Sequence, residues 1–271
     1  MTYCPSTISI AAFCTSYFKF KREKGLAIML CLAIMICFGK TAYAETGVDG
    51  FIFPSPEEQL NEMEEQGYSD EEIAIAQSKL YTNYPSDFGN KNARVILSLG
   101  VTVYKQELWY YCTPAAMRSI LKYLNPNFSK SQDNIALAIG TNATIGGTND
   151  LATVRSYLNA NQSENIYVFK TKSTLSTYKG DTYTAISTYS APMLTNISTS
   201  IGATNWPYYE NLGTSGHTVV TYGISSDMYT SYIGDPIAGT NFDNLPNLSN
   251  IPQKYPVTSS TVYDCLLGYM Y

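Results

Sequence analysis

The sequence of residues 106–124 is QELWYYCTPAAMRSILKYL, and its second part is typical of a helix that begins at Cys112. Pro114 suits the first turn of a helix, where a missing N–H breaks no hydrogen bond. A cysteine at such a helix start lies near unpaired N–H groups and the positive end of the helix dipole, which lower the thiol pKa and favour a nucleophilic thiolate. The Asn125-Pro126 pair ends the pattern. The apolar stripe at helical spacing consists of Ala116, Met117, Ile120, Leu121 and Leu124.

A nucleophilic thiolate needs a base, and the chain has a single histidine, His217, in a predicted strand. Asp235 lies about eighteen residues further on, at the end of another predicted strand, where a carboxylate can accept the imidazole N–H. Gln106, six residues before Cys112, offers a side-chain N–H that can bind an oxyanion beside the backbone N–H of Cys112. Each residue also has an ordinary alternative role, as a small buried cysteine, a core histidine, a turn aspartate and a surface amide.

Three motifs, taken in this order, resemble the C39-like peptidases of the papain-like cysteine peptidase superfamily. They are Gln106-x5-Cys112-Thr113-Pro114-Ala115-Ala116, Gly216-His217-Thr218-Val219-Val220-x-Tyr222-Gly223 and Ile233-Gly234-Asp235-Pro236. The resemblance covers roughly residues 95–271. It implies Cys112 as nucleophile, His217 as general base and acid, Asp235 as the group that orients His217, and Gln106 as oxyanion donor.

The chain departs from this family pattern in two ways. Thr113 follows the cysteine where glycine is usual, and its bulk is expected to narrow the site or alter the turn. The best-known C39 domains are fused to ABC transporters and cleave after a double glycine. Since no ATPase sequence follows here, that specificity is not expected.

Helices precede strands along the chain, which predicts an α+β fold. The resemblance implies the papain-like cysteine peptidase fold, with N-terminal helices packed on an antiparallel sheet. Besides the helix at Cys112, the predicted helices are 57–66, 69–80, 129–139, 149–158 and 185–189, and the predicted strands are 95–103, 165–172, 191–194, 217–222, 231–234 and 268–271. Capping boxes are predicted at Ser69 with Glu72 and at Ser129 with Gln132.

Residues 1–44 have the pattern of a secretory signal peptide: a basic region, an apolar run over 26–38, and the cleavage pattern Ala42-Tyr43-Ala44. We therefore expect a mature chain from Glu45 that is secreted or extracellular, with no stable membrane insertion after cleavage. The alternative is an uncleaved anchor.

The rest of the chain divides into two predicted parts. Residues 45–92 form an acidic helical segment that ends in a linker over 81–92, and residues 93–271 form the C39-like peptidase domain. The acidic segment is either an accessory element packed on the domain or a propeptide-like cover over its cleft.

Charge and cysteine content exclude several classes of protein. The whole chain carries −5, and because residues 1–44 contribute +4, the mature chain carries −9, which argues against nucleic-acid binding. Only Cys112 and Cys265 remain after residue 44, too few for a disulfide framework or, with one histidine, for a zinc site. Cys265 is interpreted as a buried apolar residue, although a disulfide with Cys112 is an alternative.

The leading hypothesis is a secreted cysteine peptidase that acts on peptides or proteins through a thioester and needs no cofactor. Two alternatives use the same fold: a cell-wall amidase or transpeptidase with the same triad, and a papain-like surface module that binds without catalysis. Tyrosine-rich residues 206–209 and 229–232 are candidates for the lining of a substrate groove.

Overall fold

A computed structural model of the protein describes residues 54–84, 95–210, 215–242 and 248–271. The predicted signal peptide 1–44 and most of the predicted linker 81–92 lie outside these residues. Within the described ranges, no helix combines the length and the apolar character that crossing a membrane requires.

Two short helices open the described chain, and both were predicted. Each begins at a capping box, formed by Ser55 with Glu58 and by Ser69 with Glu72, of which only the second was predicted. Gly67, with a φ of +79°, follows the first helix in the left-handed region that glycine adopts without strain. The two helices are α1 (Pro56–Glu65) and α2 (Asp70–Tyr81).

Three more helices come next in the chain, and the predicted capping box at Ser129 is wrong. Ser131 caps the second of these helices instead. The side chain of Gln132 donates to the carbonyl of Lys105 at 2.7 Å and accepts from the N–H of Glu107 at 3.1 Å. Gln132 thus holds the segment that leads to Cys112 rather than capping its own helix. The three helices are α3 (Cys112–Leu124), α4 (Gln132–Ala138) and α5 (Leu151–Ala160).

The next helix, α6 (Leu175–Ser187), is much longer than the predicted helix over 185–189. Its sequence is rich in threonine and contains Gly180, so its local helix propensity is weak. Packing explains the difference: a Cβ at Gly180 would lie 2.3 Å from the ring of Tyr84, so glycine lets that ring contact the helix backbone. Tertiary contacts therefore support a helix that local signals do not predict.

An antiparallel sheet forms the centre of the domain, in the order β2-β9-β3-β6-β7-β8, with β1 paired to the far end of β6. β4 and β5 form a separate hairpin. Neither β8 nor the following helix α7 (Ser259–Cys265) was predicted. The strands are β1 (Ile96–Ser98), β2 (Phe169–Thr171), β3 (Met193–Ser198), β4 (Ser200–Ile201), β5 (Thr204–Asn205), β6 (Gly216–Ser225), β7 (Thr230–Gly234), β8 (Lys254–Thr258) and β9 (Leu266–Met270).

Apolar clusters cover both faces of this sheet. Successive residues of a strand point to opposite faces, and accordingly Val220 packs with Met117 and Ile120 of α3, whereas Val219 belongs to a different cluster with Trp206 and Val262. The prediction of an α+β fold with helices packed on an antiparallel sheet is thus confirmed.

Helices α1 and α2 share the core of the domain. Met63 and Leu80 are buried in the same cluster as Val168 and Tyr178. The amide of Gln59 pairs with the edge strand β2: its nitrogen donates to the carbonyl of Phe169 at 2.8 Å, and its oxygen accepts the N–H of Phe169 at 2.8 Å.

Two buried basic side chains strengthen this attachment. The Nζ atom of Lys79 donates to Asn165 Oδ1 at 2.6 Å and to the carbonyl of Tyr271 at 3.2 Å, and burial lowers the pKa of Lys79 to about 7. Arg155 of α5 forms an ion pair with Glu62 of α1. Because a buried charge without its partner is costly, these contacts favour the interpretation of residues 54–84 as a packing element.

Candidate active site

Cys112 is the first residue of α3 and remains partly exposed. The N–H groups in the first turn of a helix lack intrahelical acceptors, and Tyr111, the N-cap residue, supplies no side-chain hydrogen bond to them. The helix start therefore presents its N–H groups and its dipole to the thiol. Both favour the thiolate and any oxyanion formed beside it.

His217 comes to this helix start on the second residue of β6, the central strand against which α3 packs. Its imidazole borders the same cleft as Cys112, and each of the two side chains shifts the pKa of the other. The Nε2 atom faces Asp235, so Nδ1 is the nitrogen available to the thiol. The strand and the helix thus bring the predicted nucleophile and the predicted base, about a hundred residues apart in sequence, to one cleft.

Asp235 follows β7 and is fully buried. Its Oδ1 atom accepts the Nε2–H of His217 at 2.8 Å and the backbone N–H of Ile237 at 3.1 Å. Its Oδ2 atom accepts the hydroxyl groups of Tyr209 at 2.9 Å and of Tyr255 at 2.7 Å. Four donors thus surround a carboxylate that has no exposed surface.

These contacts stabilise charges on all three side chains. Burial raises the pKa of the Cys112 thiol, but the hydrogen bond and charge of His217 outweigh this effect, so the pKa lies below its usual value. Burial opposes the protonation of His217, yet Asp235 and Cys112 raise its pKa to about 10. Burial also disfavours the Asp235 carboxylate, but His217 and the two tyrosines hold its pKa below the usual value. These shifts favour a thiolate–imidazolium pair beside an ionised carboxylate.

Gln106 is buried and lies six residues before Cys112 in the sequence. Its side-chain amide points into its own loop. Its Nε2 atom donates to the carbonyls of Leu108 at 3.0 Å and Trp109 at 2.9 Å, so both N–H groups are occupied. To bind an oxyanion, the amide has to leave one of these acceptors. The role of Gln106 as oxyanion donor stays a prediction. Its backbone N–H donates to the carbonyl of Pro236 at 2.8 Å and ties the segment before Cys112 to the turn that carries Asp235.

Thr113, the departure from the family pattern, is accommodated by hydrogen bonding. Its hydroxyl lies 2.8 Å from that of Thr218 on β6, and Thr218 donates to Asn196 Oδ1 at 2.9 Å. The side chain is almost completely buried, yet it borders the cleft at Cys112. Thr113 thus adds a link between the helix start and the strand that holds His217.

Two adjoining clefts, of about 290 and 100 Å³, open at Cys112. Both are bordered by Trp109, Gly146 and Gly216. The larger one continues along Thr113 and residues 145–149. The smaller one continues along His217 and the side chains of Tyr209, Ile237 and Leu248. Cys112 borders both clefts.

The sequence did not identify Tyr209 and Tyr255 as partners of Asp235. The chain has 24 tyrosines, and no local pattern distinguishes these two. Residues 206–209 are candidates for groove lining. For Trp206 this is wrong, because its side chain is fully buried and donates to the hydroxyl of Tyr255 at 2.8 Å.

Cys265 lies in the core on α7, as predicted, and burial raises its pKa to about 11. Both it and Cys112 are free thiols in this structure. Among the described residues, no group of three or more His, Cys, Asp or Glu side chains is placed to hold a metal ion.

The sequence pattern of the Peptidase C39 like family matches residues 98–261. Among solved structures, the chain is similar to digestive procathepsin L2 proteinase from Tenebrio molitor larval midgut, at 10% identity with a TM-score of 0.41, over 96% of this chain and 97% of that chain. It is also similar to recombinant stem bromelain precursor, at 8% identity with a TM-score of 0.37, over 90% of this chain and 97% of that chain. No curated protein matches the sequence.

Proposed function

Because this chain belongs to the Peptidase C39 like family, as its motifs predict, we propose that it is a cysteine peptidase that hydrolyses peptide bonds with Cys112, His217 and Asp235. The observation that supports this proposal best is the hydrogen bond between His217 and the buried Asp235 carboxylate, in a cleft that both His217 and Cys112 border. An extracellular peptide or protein is the proposed substrate.

In the first half of the proposed reaction, the Cys112 thiolate attacks the carbonyl carbon of the scissile bond. The backbone N–H of Cys112 at the helix start stabilises the negative oxygen that forms. His217 gives the Nδ1 proton to the leaving amine, the C–N bond breaks, and a thioester remains.

In the second half, neutral His217 takes a proton from water while the water oxygen attacks the thioester carbonyl. The C–S bond then breaks, the carboxylic acid leaves, and the thiolate–imidazolium pair is restored. Asp235 stays ionised throughout, holds the imidazole by Nε2 and stabilises its positive charge.

Alkylation by iodoacetamide as a function of pH tests the thiolate directly. In the mature protein, residues 45–271, Cys112 is expected to react well below the free-thiol pKa of about 8.5. The hydrogen bond and charge of His217 lower the pKa of this thiol. Cys265 is the internal control and should react only after unfolding, because it is buried and its pKa is raised to about 11. Labelling at each cysteine is measured by peptide mass spectrometry.

A Cys112 that labels only near the free-thiol pKa would contradict the ion pair and favour a binding module without catalysis. Turnover assays then identify the reaction: unfolded protein and cell-wall peptide fragments are offered to the wild type and to Cys112→Ala. Hydrolysis of protein by the wild type alone supports a peptidase. Turnover of cell-wall fragments alone supports the amidase or transpeptidase alternative.

We also propose secretion, from the basic and apolar pattern of residues 1–44. The protein recovered from the culture medium is expected to begin at Glu45, which intact mass spectrometry measures. Recovery of the full-length chain in the membrane fraction would favour the uncleaved anchor.

A further inference from the structure

The carboxylate of Asp235 is held by more than its contact with His217. Its two oxygens divide the donors: Oδ1 faces His217 and the N–H of Ile237, whereas Oδ2 accepts only from side chains, the hydroxyls of Tyr209 and Tyr255. Both tyrosines are almost completely buried. A buried carboxylate needs several donors to remain ionised, and these two supply half of them.

The two tyrosines are themselves fixed in position. Trp206 donates its indole N–H to the hydroxyl of Tyr255 at 2.8 Å, which leaves the Tyr255 proton directed at Asp235. The ring of Tyr209 lies 5.5 Å from the imidazole of His217, centre to centre, so Tyr209 contacts both members of the pair. The ring of Tyr208 packs edge-on against Tyr255 at 5.1 Å.

We infer that Tyr209 and Tyr255 are positioning residues, which hold Oδ2 of Asp235 so that Oδ1 stays on His217 and the carboxylate stays charged. This inference deepens the proposed function and rests on it for its catalytic consequence. The physical basis is that a carboxylate with free Oδ2 can rotate about its Cβ–Cγ bond or take up a proton. Either change removes the acceptor that fixes the imidazole.

Three titratable side chains face Asp235: His217 on β6, Tyr209 in the segment that precedes β6, and Tyr255 on β8. Cys112 lies on the other side of the imidazole. Burial and the charge of Asp235 raise the pKa of each tyrosine well above its usual value, so both remain neutral donors across the working range. Without the two hydroxyls, only His217 and the backbone N–H of Ile237 counteract the rise that burial causes in the pKa of Asp235. The pKa of Asp235 is then expected to rise, and its protonation to occur at higher pH.

The single histidine makes a direct test possible, since the imidazole NMR signals of the protein need no further assignment. The signals of His217 are followed from pH 7 downward in the wild type, in Tyr209→Phe, in Tyr255→Phe and in the double variant. Protonation of Asp235 breaks the contact with Nε2 and appears as a step in these signals. The step is expected to move to higher pH in each single variant and furthest in the double variant.

Kinetics supply the second measurement. Each single variant is expected to lower kcat by about tenfold, the order expected for a lost hydrogen bond to a charged group, with little change in KM. The acid limb of kcat/KM should follow the NMR step upward. Tyr178→Phe is the matched control, because Tyr178 is equally buried and its hydroxyl contacts Ser231 instead of the site.

The inference is overturned if the variants remain folded and the NMR step stays at the wild-type pH. It is also overturned if Tyr178→Phe lowers kcat and moves the step as much as the site variants do. Should the double variant not fold, either single variant decides the question. Absence of peptide hydrolysis in the wild type would contradict the proposed function, whereas the NMR step still tests the hold on Asp235.

Discussion

Replacing His217 by alanine is expected to lower kcat/KM for peptide hydrolysis by about 10³-fold or more, the contribution of a general base and acid in a unit of this kind. The chain contains no second histidine that can take over the proton transfer. The pKa of the Cys112 thiol is expected to rise as well, because the hydrogen bond and charge that lower it are lost. Steady-state turnover and the pH dependence of iodoacetamide labelling measure the two effects.

The fold of this variant is expected to survive. Asp235 keeps its donors from Tyr209, Tyr255 and the N–H of Ile237 when the imidazole is removed. Circular dichroism and thermal unfolding, with Cys112→Ala as the inactive reference, separate chemistry from stability. Retained turnover would show the mechanism to be wrong, and global unfolding would assign His217 a mainly structural role.

Deleting residues 45–92 is expected to leave a domain that is unfolded or prone to aggregation. The deletion removes Met63 and Leu80 from the main core, and truncation of one such side chain typically costs about 2–5 kcal/mol. It also leaves the buried guanidinium of Arg155 without Glu62. Whole domains are stable by only about 5–15 kcal/mol, so these losses together approach or exceed the total. Soluble yield, size-exclusion chromatography and the melting temperature measure the outcome.

Two point variants provide reference values of the melting temperature for the deletion. Met63→Ala should lower the melting temperature clearly, whereas Glu64→Ala, exposed on the same helix, should leave it nearly unchanged. A soluble truncated domain with higher activity and an unchanged melting temperature would instead identify the segment as a cover over the cleft.

The sequence predicts those helices and motifs whose formation depends on residues only a few positions away in the chain. Helices α1, α2 and α3 have caps or apolar stripes within a few residues of their ends, and the structure contains all three. The order of Cys112, His217 and Asp235 likewise follows from local motifs, and the fold places Cys112 and His217 at one cleft with Asp235 hydrogen-bonded to His217.

Other features depend on contacts that no local pattern contains. Helix α6 forms where the backbone at Gly180 contacts the ring of Tyr84, a residue far away in sequence. Tyr255 becomes a partner of Asp235 only once β7 and β8 are paired, and Tyr209 reaches the same carboxylate from the segment before β6. The amide of Gln106 finds acceptors in its own loop, which spacing from Cys112 alone does not indicate.

The side chain of Gln59 has a consequence for self-association. Strand β2 is an outer strand of the sheet, and unpaired N–H and C=O groups on such strands attract other extended chains. The amide of Gln59 occupies both groups of Phe169 and so imitates one residue of a neighbouring strand. On the opposite edge, β8 contains Pro256, which has no N–H to offer. A protein proposed to handle extended peptides thus carries, on each of the end strands β2 and β8, a feature that opposes the addition of such peptides to its sheet.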